Sequence, residues 1–121
     1  KQLDKRLRFV CEFDEISRGD RRIVDRTSGA SHPAVHETGY LATDYGVVTK
    51  IRNPFDTSKW VIVAEGNYGL GTAAAVRLIT DSDALNRAGI ALGGEFQALV
   101  EVSAFARFGM GEPRVLAVET L

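Results

Sequence analysis

The chain contains a single cysteine, one methionine, one tryptophan and three prolines in 121 residues, and it carries almost no net charge. With Cys11 alone, an internal disulfide and a cysteine-rich zinc site are both excluded. Fifteen lysines and arginines against 16 acids argue against nucleic acid as a partner, because such proteins usually present a strongly basic face. Basic residues gather early, at Lys1, Lys5, Arg6, Arg8, Arg18, Arg21, Arg22 and Arg26, but Asp4, Glu12, Asp14, Glu15, Asp20 and Asp25 are interleaved with them. No apolar run approaches the roughly 20 residues of a membrane span, and no signal-type segment opens the chain. No membrane partner is expected. The start inside a charged segment without methionine suggests a piece of a larger protein, with the cytoplasm as the default compartment.

What remains is an ordinary globular composition, 45% hydrophobic and 26% charged. A chain this long can bury about two-thirds of its unfolded surface in one core. The most informative stretch is residues 59–80, KWVIVAEGNYGLGTAAAVRLIT: a buried-type strand, a glycine-rich turn, and a helix opening at Gly71 and Thr72. The first N–H groups of a helix have no intrahelical partners and, with the positive end of the helix dipole, favour an anion. In a binding reading, the N–H groups from Gly69 to Thr72 and the Thr72 hydroxyl hold the anion, Asn67 and Tyr68 form a wall, and Gly66 is counted with them in the site. In a structural reading, the same glycines let the chain turn sharply and the helix pack closely. The glycines at 66, 69 and 71 follow G-x-x-G-x-G rather than the dinucleotide fingerprint G-x-G-x-x-G. The lysine of a phosphate-binding loop is absent, and Glu101 falls inside its strand instead of at the end that would meet a ribose. The pattern names no cofactor.

Around this stretch, residues 1–6 suit a fraying helical turn. Residues 7–13 suit a strand with Leu7, Phe9, Cys11 and Phe13 on one face, where Cys11 packs as a small hydrophobe. A turn over residues 14–20 leads to a second strand at 21–27. Residues 28–43 hold both histidines, Pro33, Gly29 and Gly39 without sustained periodicity, and read as a surface loop. Residues 45–52 form a strand ended by Asn53-Pro54. The continuous apolar run at Trp60–Ala64 then suggests a central strand covered on both faces. A helix over residues 72–80, a short second helix ending at Gly89, and strands at 97–105 and 114–120, paired as a hairpin, complete the pattern. Residues 60–97 suit one right-handed βαβ crossover.

Other constellations are weaker. If residues 47–52 and 59–64 form a hairpin, Asp44 comes beside Glu65, and paired carboxylates can divide acid and base roles or hold a metal; the preferred reading is that both acids cap strand ends in solvent. His32, His36 and Glu37 resemble a metal spacing, but Pro33 opposes the helix that would align them, so surface histidines are preferred and no metal is assigned. Ser17, Ser28, Ser31 and Ser103 lack a nucleophile-elbow context. Tyr40, Tyr45 and Tyr68 suit either pocket walls or packing.

At DYGVVTKIRNPF (residues 44–55) and WVIVAEGNYGLGTAAA (residues 60–75) the chain resembles a poorly characterised group of prokaryotic domains. Their pattern is DYG, NPF or NPW, an apolar strand, and G-x-x-x-x-GT-x-A-A, with similar segments in archaeal surface-layer proteins. The resemblance covers about a quarter of the chain. It implies a Rossmann-like α/β sheet with Asp44, Tyr45, Gly46, Asn53, Pro54, Gly71 and Thr72 as matching positions, and it implies no established activity. A G-G-P-x-x-N segment common upstream in that group is absent, which suits an incomplete version of the fold.

The expected fold is therefore one α/β domain over residues 1–121, with a single mixed β-sheet of five to six strands and one helical crossover. The expected function is a non-catalytic module that binds a small anionic or nucleotide-like ligand or serves structurally. One alternative is a hydrolase acting on a nucleotide-like substrate with Glu65 or Asp44 as general base. Another is an assembly domain that forms a homo-oligomer through an exposed sheet edge.

Overall fold

The computed structural model of the chain describes residues 5–14, 20–37, 39–91, 93–105 and 109–121. The expected helical turn at residues 1–6 and the turn at 14–20 lie largely outside them. Strands β1 (Phe9–Asp14), β2 (Asp20–Asp25) and β3 (Ser31–Pro33) form a three-stranded sheet in that order. Strands β4 (Val35–Glu37), β5 (Tyr40–Asn53) and β6 (Asp56–Gly66) then lead into helices α1 (Gly69–Ile79) and α2 (Ser82–Arg87). The chain finishes with β7 (Phe96–Phe105), β8 (Gly109–Met110) and β9 (Arg114–Thr120). In the second, six-stranded sheet, β5 and β7 are central. β4 and β6 lie end to end along the outer side of β5, and β8 and β9 do the same along β7.

The Rossmann-like α/β expectation is overturned. Among the described residues 57% are strand and 16% helix, and all strand pairings there are antiparallel. Strands β6 and β7 are both antiparallel to β5, which lies between them, so they run parallel and the helices join them across an intervening strand instead of linking neighbours. Nor is β6 a central strand: it is at the edge, with Ile62 50% and Val63 42% exposed. A continuous apolar run normally signals two-sided burial, and here it belongs to a strand open along one side. The loop expected over residues 28–43 is also corrected, since β3, β4 and the start of β5 occupy most of it. Strands of three residues are too short to display a period.

Period-two alternation along β5 sorts the two cores. Val48 meets Ala74, Ala75 and Leu78 of α1 on one face, whereas Val47 meets Phe9, Ile23 and Leu99 on the other. The molecule is thus three layers: helices, six-stranded sheet, three-stranded sheet. Gln97 stitches the sheets together. Its buried Oε1 accepts the N–H groups of Arg8 and Phe9 at 2.8 and 2.9 Å, and its Nε2 donates to Phe9 O and Thr49 Oγ1 at 2.9 and 3.0 Å. Each partner group that Gln97 desolvates is therefore satisfied, which offsets the cost of burying an amide.

Candidate functional site

Along the outer side of β5, Thr43 pairs with Val35 of β4 and Gly46 with Gly66 of β6, so Asp44 and Tyr45 lie at the gap between the two strands. There the chain leaves β6 and climbs into α1. Asn67 N–H donates to Tyr45 O at 3.2 Å as it passes. The fully buried Asp44 carboxylate faces the helix start, and its Oδ2 accepts the N–H groups of Tyr68 and Gly71 at 2.9 and 2.8 Å. Its Oδ1 accepts the N–H of Tyr45 at 2.8 Å. Tyr68 is the N-cap residue but supplies no side-chain cap of its own. The helix terminus does attract an anion, as its dipole and orphan donors require, and that anion is Asp44.

The glycines make this docking fit. A Cβ on Gly71 would stand 2.1 Å from Tyr45 O, one on Gly46 2.2 Å from Gly71 O, and one on Gly66 2.3 Å from Thr72 N. Gly69, by contrast, has open space around the same position. The Thr72 hydroxyl is engaged within the helix, donating to Tyr68 O at 3.3 Å. Of the residues expected to bind a ligand, Gly66, Gly71 and Thr72 thus participate in seating the helix on the sheet.

Asp44 and Glu65 are not brought together. Glu65 pairs across the ladder with Val47, so it shares that residue's face, whereas Asp44 points to the helices. Asp44 has no exposed surface and cannot touch a substrate in this arrangement. Burial raises its pKa, while the three N–H bonds and Asn67 act to lower it. Glu65 instead lines a dent of about 300 Å³ with Cys11, Phe13, Arg21 and Asn67. The Cys11 thiol retains solvent contact rather than packing as a core hydrophobe. Desolvation first, then the charges of Glu65 and Asp44, push it up to about 12, which suppresses the thiolate that a nucleophile needs.

A second dent of about 430 Å³ lies beyond the Gly66–Tyr68 loop, lined by Arg21, Arg22, Ser31, His36 and Tyr68 with Pro33 and Ala34. Its wall is ordered by aromatic contacts: His36 meets Tyr68 edge-on at 5.5 Å, and His32 lies 5.2 Å from Tyr45. Arg21 sits 5.8 Å from the Phe13 ring and 6.0 Å from the Tyr68 ring, and donates to Asn67 O at 3.3 Å. Arg22 pairs with Glu12 at 3.3 Å. The buried Asn67 donates through Nδ2 to His32 O at 2.9 Å, while its Oδ1 has no partner among the described residues. From the sequence, Arg21 is one of several interleaved early charges and His36 a surface histidine or weak metal ligand, so neither stands out as a site residue. The available signal was register: in RRIV, Arg21 is in phase with the core residue Ile23, so it lies on the same face of the strand, at the exposed end beyond the core. No cluster of three or more metal-ligating side chains occurs among the described residues, and no described helix is long and apolar enough to cross a membrane.

Comparison with protein-family models, curated proteins and solved structures gave no match.

Proposed function

We propose that the chain is a non-catalytic binding module for a small anionic ligand, held in the dent walled by Arg21, His36 and Tyr68 instead of at the helix terminus. The observation that carries this reading is the lining of that dent: two arginines, a histidine, a serine and a tyrosine, without a carboxylate. Arg21 forms no ion pair with a described carboxylate, so its guanidinium has donors to offer a phosphate or carboxylate in paired geometry. The Tyr68 ring offers a stacking face, and a cavity of about 430 Å³ suits a small molecule. An anion attached to a planar ring, as in a nucleotide, uses both features. The helix terminus is left to architecture because a second anion there would meet the charge of Asp44.

Isothermal titration with pyrophosphate, nucleoside mono- and diphosphates and aromatic carboxylates tests the proposal. At least one should bind, and Arg21→Gln should weaken it by about tenfold or more, the usual weight of a hydrogen bond to a charged group. Gly69→Ala should leave the affinity unchanged, since that glycine belongs to the helix terminus. No heat from any member of the panel, or binding indifferent to Arg21→Gln, would overturn the assignment.

A further inference from the structure

The outer edge of β6 has no strand partner among the described residues, and its register against β5 is regular from Gly66 back to Trp60. Natural sheets usually protect such an edge with bulges, prolines or centrally placed charges. From Trp60 to Ala64 this one has none of them, and it exposes Ile62 and Val63. The charges sit at the two ends, Lys59 on one side and Glu65 on the other.

We propose that β6 pairs with β6 of a second copy of the chain, antiparallel and centred on Ile62, joining the two six-stranded sheets into one. Facing residues of an antiparallel ladder direct their backbone groups either both toward the partner strand or both away from it, so across a two-fold axis their numbers must sum to an even value. Centred on Ile62, Lys59 faces Glu65 of the second copy, Trp60 faces Ala64, Val61 faces Val63, and each contact occurs twice. Centred on Val61, Lys59 faces Val63 and Glu65 faces Thr57. Centred on Val63, Glu65 faces Val61. Among these neighbouring registers, only the Ile62 register sets opposite charges across the ladder, where such pairs are favourable. Lys59 already pairs with Asp56 at 3.7 Å, but its side chain is 72% exposed, and an ion pair that open is too weak to compete.

Sedimentation equilibrium of the full chain tests both dimer and register. A short ladder is a small interface, so the dimer should be concentration-dependent. Lys59→Glu alone, or Glu65→Lys alone, should raise the dissociation constant at least about tenfold, because each sets like charges opposite at two places. Mixing these two variants should restore dimers, since the heterologous pair is complementary at both places although neither variant self-associates. Ile62→Lys, at an exposed position, should give a monomer with an unchanged circular dichroism spectrum, and it carries the test if either charge variant fails to fold. A wild-type chain that stays monomeric up to about 1 mM, single variants that dimerise like wild type, or a mixture that does not associate would overturn the proposal.

Discussion

Among the described residues, each face of the six-stranded sheet covers one buried aspartate, and the two are held differently. On the helix face, Asp44 is surrounded by backbone: three N–H groups reach it, and the neighbouring contacts run between main-chain atoms at Gly46, Gly66 and Gly71. On the other face, Asp25 is held chiefly by a side chain, with Arg8 Nε and an Arg8 terminal nitrogen donating to its two oxygens at 3.0 and 2.9 Å, while its Oδ1 also accepts the N–H groups of Thr27 and Ser28 at 2.9 and 3.4 Å. Around it the layers meet through Gln97 and the rings and branches of Phe9, Ile23 and Leu99. One layer is docked by removing side chains and the other by interlocking them. The first should be intolerant of added atoms, the second of deleted ones.

The largest effects should come from adding one carbon on the helix face and from deleting a ring on the other. Gly71→Ala forces Cβ against Tyr45 O and Asp44 Oδ2, and backbone cannot yield as a flexible side chain can. Urea denaturation should show a loss of about 3–4 kcal/mol, or no folded state. Gly69→Ala, two residues earlier with open space around it, should be neutral or stabilising by up to about 1 kcal/mol. On the opposite face the sign of the change reverses: Phe9→Ala, which deletes a ring, should cost about 3–5 kcal/mol. If Gly71→Ala were harmless, the close backbone approach would not be what seats α1.

Next in size are the carboxylates themselves. Asp44→Ala strands the N–H groups of Tyr45, Tyr68 and Gly71, at about 2–4 kcal/mol if water reaches only some of them. Asp44→Asn keeps a carbonyl acceptor for the helix and should cost less, about 1–2 kcal/mol. The pair of variants separates the hydrogen bonds from the charge. Equal losses would mean that the negative charge, rather than acceptance, holds the helix terminus.

What could be read from the sequence follows the same divide. Strands β1, β5, β7 and β9 were visible because alternation or apolar density persists for six residues or more, and α2 because Asp81 is a recognisable cap, accepting the N–H of Ala84 at 3.1 Å. The segment containing Asp44, Gly46, Gly66 and Gly71 was visible as a unit, yet spacing along the chain cannot say whether a helix terminus meets a ligand or a side chain from another strand. The antiparallel pairs β5–β6 and β7–β9 were legible as hairpins, but the place of β5 between β6 and β7 was not, since a strand-helix-strand pattern is the same whether or not a third strand separates its ends. Nor was the pairing of Asp25 with Arg8 or the bridge made by Gln97, which join residues 17 and 88 apart by contacts with no local signature. The dent at Arg21 and His36 depends on β3 and β4, two three-residue strands hidden in what reads as a loop.

The smallest effect, and the one that compares the two aspartates most directly, is the response to acid. Hydrogen bonding from Arg8, more than the opposing burial, holds Asp25 well below the usual carboxylate range in the folded chain. Its contribution is therefore complete above the unfolded value, about 3.9, and is lost as pH falls through the folded one. Burial raises Asp44 instead, so the folded chain binds that proton more tightly than the unfolded chain does. That contribution has the opposite sign: it is present below the unfolded value and disappears as pH rises through the folded one. Urea melts between about pH 2 and pH 7 should thus show Asp25→Asn with a flatter acid limb, after an initial loss at neutral pH of roughly 1–2 kcal/mol. Asp44→Asn should show a steeper one, because the variant no longer gains from protonation in acid. If both substitutions changed the slope in the same direction, the contrast between a carboxylate held by a cation and one held by backbone would fail, and Asp44 would have to share a positive partner that the helix face does not show among the described residues.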